Sequence, residues 1–377
     1  MKGHIRERSP GHWAIVIDVR DPHTGQRKRK WHSFKGTKKE AQVEKAKLIA
    51  DLNRGSYVER SKTTVADFVR SRIDQWEAAE DISARTAQRY RELTENQIAP
   101  HIGAKPVQKL TRLDVEGWHT ILRNAGLTAR TIGHAHRVLG KALRDAEKDS
   151  LVTKNVCRIQ SAPKVAVAEA PVVEDVPAFI RAIRASERFY VPAMIALFAG
   201  MRISEVLALR WNRVDLDSGI IQVRESLEQT VAHGVRFKAP KSKAGKRDIA
   251  MPDILIEVLR EYRKATMELR MQLGAGRLPD DALLFSDVEG NPLSPNRTSS
   301  RFGEFADEIG MPEITFHALR HTHASQLIAS GVDIVTISKR LGHAKPDITL
   351  RVYAHRFKDS DTKAAAAINA AFPVAKR

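Results

Sequence analysis

The chain has 377 residues, more than one hydrophobic core usually organises, so its length predicts two or three domains. Its 63 Lys and Arg residues outnumber its 45 Asp and Glu residues, and the net charge of +18 favours a polyanionic partner such as nucleic acid. The sequence has no apolar run near the roughly 18 residues that a membrane span needs. It also lacks an apolar N-terminal segment. These two observations predict a soluble, cytoplasmic protein without a membrane partner. The single cysteine, Cys157, excludes an intramolecular disulfide framework and a cysteine-rich zinc site.

The first 61 residues are the most basic part of the chain and predict a β-hairpin followed by a helix. They hold 15 Lys and Arg residues against 7 Asp and Glu residues, a net charge of +8. Apolar residues alternate over 13–19, a turn sequence occupies 21–25, a return strand is predicted over 27–34, and Thr37 is placed to cap a helix. Such a ribbon can enter a DNA groove, or it can be a solvated hairpin or a localisation signal. The cations on the ribbon are Arg27, Lys28, Arg29 and Lys30.

The segment 62–160 has apolar residues at helical spacing, which predicts a helical bundle. Two of its helices, predicted over 83–98 and 128–147, carry cations that can contact DNA phosphates or lie on a solvated face. The next segment, 161–171, has two prolines and no clear period, as expected of an interdomain linker. The candidate phosphate contacts in the bundle are Arg89, Arg130 and Lys141.

After the linker, a strong helix signal spans 189–209 and places Arg202 and Glu205 three residues apart on one face. Alone, such a pair is usually a local ion pair. A basic turn over 240–246 follows, between the last two of three short strands predicted over 220–223, 235–238 and 247–251. One lysine of this turn can reach into a site, and the others can hold phosphates or be solvated. The lysines of the turn are Lys241, Lys243 and Lys246.

A histidine cluster opens a further predicted helix. His317 and His321 have the four-residue spacing of a zinc-binding helix, but Ala318 stands where a zincin carries glutamate. Arg320 would also repel a metal cation, so no metal is expected. His317 and Arg320 instead share a face near the helix N-terminus, where the positive end of the helix dipole favours an anion such as phosphate.

Taken in order, these motifs resemble the arginine, lysine, His-x-x-Arg, histidine and tyrosine set of the tyrosine recombinases, the phage integrase family. The segment 62–160 resembles the family's SAM-like core-binding domain, and 1–61 resembles the arm-type DNA-binding domain of longer integrases. The resemblance implies a multidomain, mainly α protein, with 161–171 as the linker and 172–377 as a catalytic domain that contains a small antiparallel β-sheet. The residues that carry the resemblance are Gly200-Met201-Arg202-Ile203-Ser204-Glu205, Lys243, His317-Ala318-Leu319-Arg320, Leu341-Gly342-His343 and Tyr353.

The resemblance implies a site-specific DNA recombinase, the integrase of a phage or other mobile element. It would cut and rejoin strands through a 3′-phosphotyrosyl intermediate without a metal or nucleotide cofactor. Tyr353 would be the nucleophile, because attack by a protein hydroxyl conserves the phosphodiester bond energy in a protein–DNA ester. Arg202 and Arg320 would hold the non-bridging oxygens, and Lys243 would protonate the departing 5′ oxygen.

The histidines and the glutamate are expected to act around this reaction. His317 can accept the tyrosine proton or hydrogen-bond a phosphate oxygen, and His343 can donate to the other phosphate oxygen. The sequence does not assign the tyrosine proton to either histidine. Glu205 is expected to support the site by orienting its helix or a histidine. Three further histidines are expected to be structural: His321, His323 and His355.

The implied partner is double-stranded DNA, at core-type and arm-type attachment sites, in the cytoplasm and nucleoid of a bacterial cell. A homotetramer would assemble on DNA during strand exchange, with an excision factor and a host DNA-bending protein as possible helpers. The tail 361–373 predicts a helix that docks on a neighbouring protomer or packs on its own chain. The alternatives are a chromosome or plasmid dimer resolving recombinase, a type IB topoisomerase-like enzyme, and a DNA-binding regulator whose site has decayed.

Overall fold

The computed structural model describes residues 3–20, 27–53, 61–165, 171–240, 243–353 and 360–372. The chain divides into two compact units, Met1–Ala166 and Val167–Arg377, with the boundary inside the segment where the linker is expected. The described residues form many helices and small antiparallel sheets, which confirms the predicted fold class. No helix among the described residues is both long and apolar enough to cross a membrane.

The first unit begins with a three-stranded antiparallel sheet in the order β1-β2-β3, and helices follow it. A π-helical segment, Thr94–Gly103, continues the third helix and contains Pro100. The elements are β1 (Gly3–Ser9), β2 (His12–Arg20), β3 (Arg27–Lys35), α1 (Lys38–Asn53), α2 (Val65–Ala78), α3 (Ala84–Leu93), α4 (Arg112–Asn124), α5 (Ala129–Lys148) and α6 (Val156–Ile159).

The N-terminal sheet has one strand more than the predicted hairpin. The added strand, β1, is an edge strand with the mostly polar sequence GHIRERS, so it lacks the apolar alternation that would predict it. Its one large apolar residue, Ile5, pairs with Ile15 in the central strand β2. The predicted helix after Thr37 is confirmed as α1, and the Glu40 carboxylate accepts from the Thr37 backbone N–H at 2.8 Å.

Helices α2 to α6 enclose an apolar core, as the helical spacing predicted. The Thr64 hydroxyl caps α2 by accepting from the backbone N–H of Asp67. Trp118 of α4 and Leu139 of α5 are almost completely buried in this core. The apolar residues at helical spacing therefore form the helix faces that pack in the core of the bundle.

The second unit has one three-stranded sheet, in the order β4-β5-β8, and a separate β6-β7 hairpin, both antiparallel. Ile221 of the middle strand lies opposite Val214 on one side and Ile249 on the other. The elements are α7 (Val176–Ile183), α8 (Tyr190–Ala199), α9 (Ile203–Val206), β4 (Val214–Asp215), β5 (Ile220–Val223), β6 (Ser226–Thr230), β7 (Gly234–Lys238), β8 (Arg247–Ala250), α10 (Asp253–Gln272), α11 (Pro295–Glu308), α12 (Phe316–Ala329), α13 (Ile334–Leu341), α14 (Pro346–Tyr353) and α15 (Ser360–Ala371).

Helix α8 is apolar on all sides and lies in the middle of the second unit. Met194 and Ile195 pack in the cluster that includes the three-stranded sheet and α10. Ala193 and Leu197 pack in the cluster that includes α11 and α12. A helix that is apolar all round must be buried on all sides, and α8 meets this condition.

The single helix predicted over 189–209 is wrong, because the chain breaks at Gly200. Gly200 ends α8 in the left-handed conformation, with φ of +65°. A Cβ atom at Gly200 would lie 2.6 Å from the His323 ring and 3.0 Å from a Leu341 methyl group. The break places Arg202 directly before α9 and Glu205 in its first turn.

We predict that Gly200→Ala lowers the free energy of unfolding more than Gly331→Ala does. Both glycines have positive φ, so alanine at either position costs about 1 to 2 kcal/mol of backbone strain. A Cβ atom at Gly331 would meet no atom within 4 Å, whereas one at Gly200 would collide with His323. Urea unfolding of both variants measures the difference, and equal losses would contradict the close packing around Gly200.

Candidate active site

The buried carboxylate of Glu205 binds two arginines. It accepts from the Arg202 backbone N–H at 3.0 Å and from Arg202 Nη1 at 2.8 Å. It also accepts from Arg247 Nη2 at 2.8 Å and from Arg247 Nη1 at 3.2 Å. Burial acts to raise the pKa of Glu205, but the hydrogen bonds and charge of Arg247 and the charge of Arg202 lower it to about 2. Glu205 is therefore ionised at neutral pH and holds both guanidinium groups.

A second buried cation, Arg320, is held by backbone carbonyls. Its side chain lies near the N-terminus of α12 and the residue is only 2% exposed. Nη1 donates to the Gly200 carbonyl and Nη2 to the Leu341 carbonyl, each at 2.6 Å. These carbonyls lie at the C-terminal ends of α8 and α13, where the helix dipoles favour a cation. Burial and the charge of Arg202 lower the pKa of Arg320 to about 9, which still leaves it protonated at neutral pH.

Arg247 connects the sheet to α13, although its sequence context predicts only a strand residue. Its Nε donates to the Arg340 carbonyl at 2.7 Å. Gly342, which ends α13 with φ of +68°, leaves space for this side chain, since a Cβ atom there would lie 2.8 Å from Arg247 Nη1. Gly342 is therefore required both by the helix end and by the position of Arg247.

The two predicted histidines, His317 and His343, lie within the electrostatic field of the arginines. His343 Nδ1 is 2.7 Å from the Thr349 hydroxyl. Burial and the charges of Arg320 and Arg202 lower the pKa of His343 to about 4. His317 lies at the first turn of α12, and partial burial of its ring with the same two charges lowers its pKa too. The structure thus gathers both arginines and both histidines of the predicted set.

Tyr353 is the last residue of α14 and is 3% exposed. Its ring packs in an apolar cluster with Ile337 and Leu341 of α13. Its hydroxyl lies 2.5 Å from Nδ1 of His321. Burial raises the pKa of Tyr353 to about 12, against an opposing effect of the Arg320 charge. His321 therefore contacts the hydroxyl of the predicted nucleophile, and the expectation that this histidine is structural stays a prediction.

The other two histidines expected to be structural differ in outcome. His323 is structural: its Nδ1 lies 2.9 Å from the Leu197 carbonyl, and its Nε2 accepts from Arg340 Nε at 2.9 Å. Burial and the charge of Arg340 lower the pKa of His323 to about 4, so the ring is neutral. His355 lies outside the described residues.

The predicted lysine turn is described from Lys243 onward, and Lys241 lies outside the described residues. Lys243 begins a short 3₁₀ turn that ends at Gly245, directly before β8. The Gly245 carbonyl accepts from Arg247 Nη1 at 3.3 Å. The backbone of this turn therefore contacts the Glu205–Arg247 pair, while the role of Lys243 as an acid stays a prediction.

In the first unit, the four ribbon cations lie together on β3, which begins at Arg27. Arg29 has its side chain 66% exposed and lies 3.6 Å from Asp18 on the neighbouring strand. Trp31, which directly follows the four cations, is 53% exposed, with the Arg8 guanidinium 5.7 Å from its ring centroid. This part of the sheet therefore exposes an aromatic ring among cations.

Two of the cations predicted to contact phosphates in the bundle lie close together. Burial lowers the pKa of His134, and so do the charges of Arg137, Arg89 and Arg130. These arginines come from α3 and α5, so the two helices present one cationic surface. Arg89 also forms an exposed ion pair with Glu92 at 3.0 Å.

Lys141, the third predicted contact in the bundle, packs within the protein. Its Nζ lies 3.3 Å from the centroid of the Trp76 ring, a cation–π contact. Burial lowers the pKa of Lys141. The Trp76 indole in turn donates to Asp145 at 2.8 Å, so Lys141 belongs to a packed polar group at the edge of the core.

We predict that Glu205→Gln lowers the free energy of unfolding at neutral pH by about 3 to 5 kcal/mol, because it leaves buried Arg247 without its carboxylate. The pKa of Glu205 is lowered in the folded state, so its stabilisation is complete above the pKa of an unfolded glutamate, about 4.3. That stabilisation is lost as the pH falls toward 2.

Wild-type stability should therefore fall more steeply than that of Glu205→Gln between pH 5 and pH 2. Urea unfolding across this range measures both curves. Glu313→Gln, at an exposed position, is the matched control and should follow the wild type. Parallel curves for the wild type and Glu205→Gln would contradict the ionised, paired state of Glu205.

Comparison with known proteins identifies the family of this chain. The sequence profile of the phage integrase family matches residues 172–360. A tyrosine recombinase XerC-like protein of Caldanaerobacter subterraneus subsp. tengcongensis is 22% identical, over 96% of both chains. The ICEBs1 integrase of Bacillus subtilis is 26% identical, over 96% of this chain and 98% of its own length.

A solved structure of the Tn1549 transposon integrase, in complex with a circular intermediate DNA, matches with a TM-score of 0.69 at 21% identity. The match covers 81% of this chain and 99% of that chain, and at this identity it shows the fold alone. The family profile, in contrast, spans half of the sequence and includes every residue of the site described above. This protein therefore belongs to the phage integrase family.

Proposed function

We propose that this protein is the integrase of a mobile element, a site-specific recombinase that cuts and rejoins DNA through a 3′-phosphotyrosyl intermediate. The observation that carries the proposal is a buried tyrosine hydroxyl within the electrostatic field of Arg320, one of three arginines that Glu205 and backbone carbonyls hold in place. A tyrosine recombinase is a DNA breaking and rejoining enzyme, and the similarity to the ICEBs1 integrase supports a mobile element as its source.

The charges of the site suit a phosphodiester. Among the described groups, Arg202, Arg247 and Arg320 surround the single carboxylate of Glu205, which leaves two positive charges uncompensated. The Arg202 side chain is 38% exposed, so its guanidinium is open to a ligand. Arg202 and Arg320 would donate to the non-bridging oxygens and stabilise the negative charge of the transition state. Arg247 would keep Glu205 in position.

The reaction then needs a nucleophile and an acid. The Tyr353 oxygen would attack phosphorus, and the bond to the 5′ oxygen would break. Lys243 would protonate that oxygen, which is otherwise a poor leaving group. His317 and His343 would donate to phosphate oxygens, in keeping with their positions beside the arginines.

We expect the wild type, but not Tyr353→Phe, to become covalently attached to a labelled suicide substrate that carries a nick beside the scissile phosphate. Phenylalanine removes the attacking oxygen and leaves the apolar packing in place. Denaturing gel electrophoresis measures the attachment. Tyr190→Phe is the matched control and should react like the wild type, whereas attachment of Tyr353→Phe would contradict the assigned nucleophile.

Lys243→Ala should slow cleavage of a normal phosphodiester by a factor on the order of 10² to 10⁴, the usual contribution of a general acid. A substrate with sulfur at the 5′ bridging position should react with this variant almost as it does with the wild type, because a thiolate leaves without a proton. Single-turnover cleavage measures both rates. If the sulfur substrate restored the cleavage rate of Lys241→Ala or Lys246→Ala instead, the acid would be that other lysine of the turn.

The rest of the chain would bind DNA. The basic head 1–61 would bind arm-type sites. The bundle 62–160 would bind core-type sites through the surface that includes Arg89 and Arg130. The segment 172–377 would cleave the DNA strand. Recombination needs four active sites around two duplexes, so we propose a tetramer on DNA, with an excision factor and a host bending protein as helpers. The protein would act on the nucleoid in the bacterial cytoplasm.

A chromosome or plasmid dimer resolving enzyme is the alternative that one observation favours. The XerC-like relative aligns with 96% of this chain, so the presence of a basic head does not separate the two functions. An integrase and a resolving enzyme would both join two DNA sites, whereas a type IB topoisomerase-like enzyme would relax DNA without exchanging strands between partners. Recombination between two DNA molecules therefore distinguishes a recombinase from a topoisomerase.

A further inference from the structure

We infer that His321 is a further catalytic residue, which accepts the proton of Tyr353 as the tyrosine attacks DNA. The inference rests on the proposed role of Tyr353 as nucleophile. Its basis is the hydrogen bond between Nδ1 of His321 and the Tyr353 hydroxyl, at 2.5 Å. This distance is at the short end for a hydroxyl donor and places Nδ1 where it can accept the proton directly.

The position of the neighbouring histidine favours His321 over His317 as the acceptor. Both rings lie on α12, one turn apart, with ring centroids 4.5 Å from each other in an edge-to-face arrangement. Among the described residues, His321 is the histidine whose ring nitrogen lies within hydrogen-bonding distance of the Tyr353 hydroxyl. His317, near the helix N-terminus, is an exposed residue and suits contact with the arriving phosphate.

The protonation states also fit this role. Burial and the charges of His317 and Arg320, both on α12, lower the pKa of His321 to about 4. From α14, Tyr353 faces the ring, and its own raised pKa keeps the hydroxyl protonated. The resting pair therefore consists of a phenol donor and an unprotonated Nδ1. A bound phosphate would add negative charge beside the ring and increase its affinity for a proton.

The proton transfer balances within one strand cleavage. The Oη–H bond of Tyr353 breaks and its proton moves to Nδ1 of His321, while a bond forms between Oη and phosphorus. The bond between phosphorus and the 5′ oxygen breaks, and that oxygen takes a proton from Lys243, the proposed acid. During religation the 5′ oxygen forms a bond to phosphorus and its proton returns to the neutral Lys243 amine. The bond between phosphorus and Oη breaks, and His321 returns its proton to Tyr353.

The test compares His321→Asn with His317→Asn, because the asparagine side-chain oxygen lies near the place of Nδ1 and accepts a hydrogen bond but not a proton. Single-turnover cleavage of the suicide substrate should slow on the order of 10²-fold in His321→Asn. The loss should shrink as the pH rises from 7 to 9, because hydroxide then supplies the missing base. DNA binding and urea unfolding should match the wild type.

Replacing Tyr353 with 3,5-difluorotyrosine provides the second measurement. Its phenol is more acidic and depends less on a base, so it should restore most of the rate in His321→Asn. The same replacement should not restore the cleavage rate of His317→Asn. A matched set of four proteins, each histidine variant with each phenol, therefore separates loss of a base from loss of a phosphate contact.

Four outcomes would overturn the inference. Cleavage by His321→Asn at the wild-type rate would show that the ring takes no proton. A loss of rate that neither high pH nor difluorotyrosine relieves would reduce His321 to a positioning residue. Relief of the loss in His317→Asn would make His317 the base. Covalent attachment by Tyr353→Phe would overturn the proposed nucleophile itself, and the inference with it. This last outcome is distinguishable, because the first three leave Tyr353 essential.

Discussion

The ion pair between Glu205 and Arg247 is the interaction on which the catalytic site depends. Taking both charges out of water costs several kcal/mol per ion, and this cost is offset only where the geometry is good and the remaining hydrogen-bonding groups are satisfied. Glu205 meets this condition with four hydrogen bonds from Arg247 and Arg202. Because Arg247 also donates to α13, the same pair fixes β8, α9 and α13 around the site. The cations are thus in position before DNA binds, so little reorganisation is needed during the reaction.

The cations of this chain divide by exposure into two groups with different physical behaviour. In the proposed function, exposed cations such as Arg29 and those around His134 would interact with DNA through water and counterions, so their contribution to binding would fall as salt increases. Buried Arg320 and Arg247 are screened far less by salt. The net charge of +18 therefore supplies affinity mainly through its exposed part, whereas the chemistry depends on a few cations fixed by carbonyls and one carboxylate.

Local patterns in the sequence predicted the helical bundle and the helix that begins near His317 and Arg320. They failed where the outcome depends on distant contacts. Gly200 breaks a helix because the His323 ring occupies the space that a side chain would need, and this neighbour is more than 100 residues away. His317 and His321 are equivalent by spacing on one helix face. The packing of α14 against α13, which itself packs on α12, decides which ring contacts Tyr353, and no local pattern encodes it.

The proposed function requires that the arginines form a phosphate site fixed by Glu205. A crystal structure of Tyr353→Phe bound to an intact core-site duplex would show this site occupied, because the variant cannot cleave its substrate. Arg202 and Arg320 should both donate to the non-bridging oxygens of one phosphate, while Glu205 stays bound to Arg247. A phosphate that contacts neither arginine, or a Glu205 that has released Arg247, would contradict it.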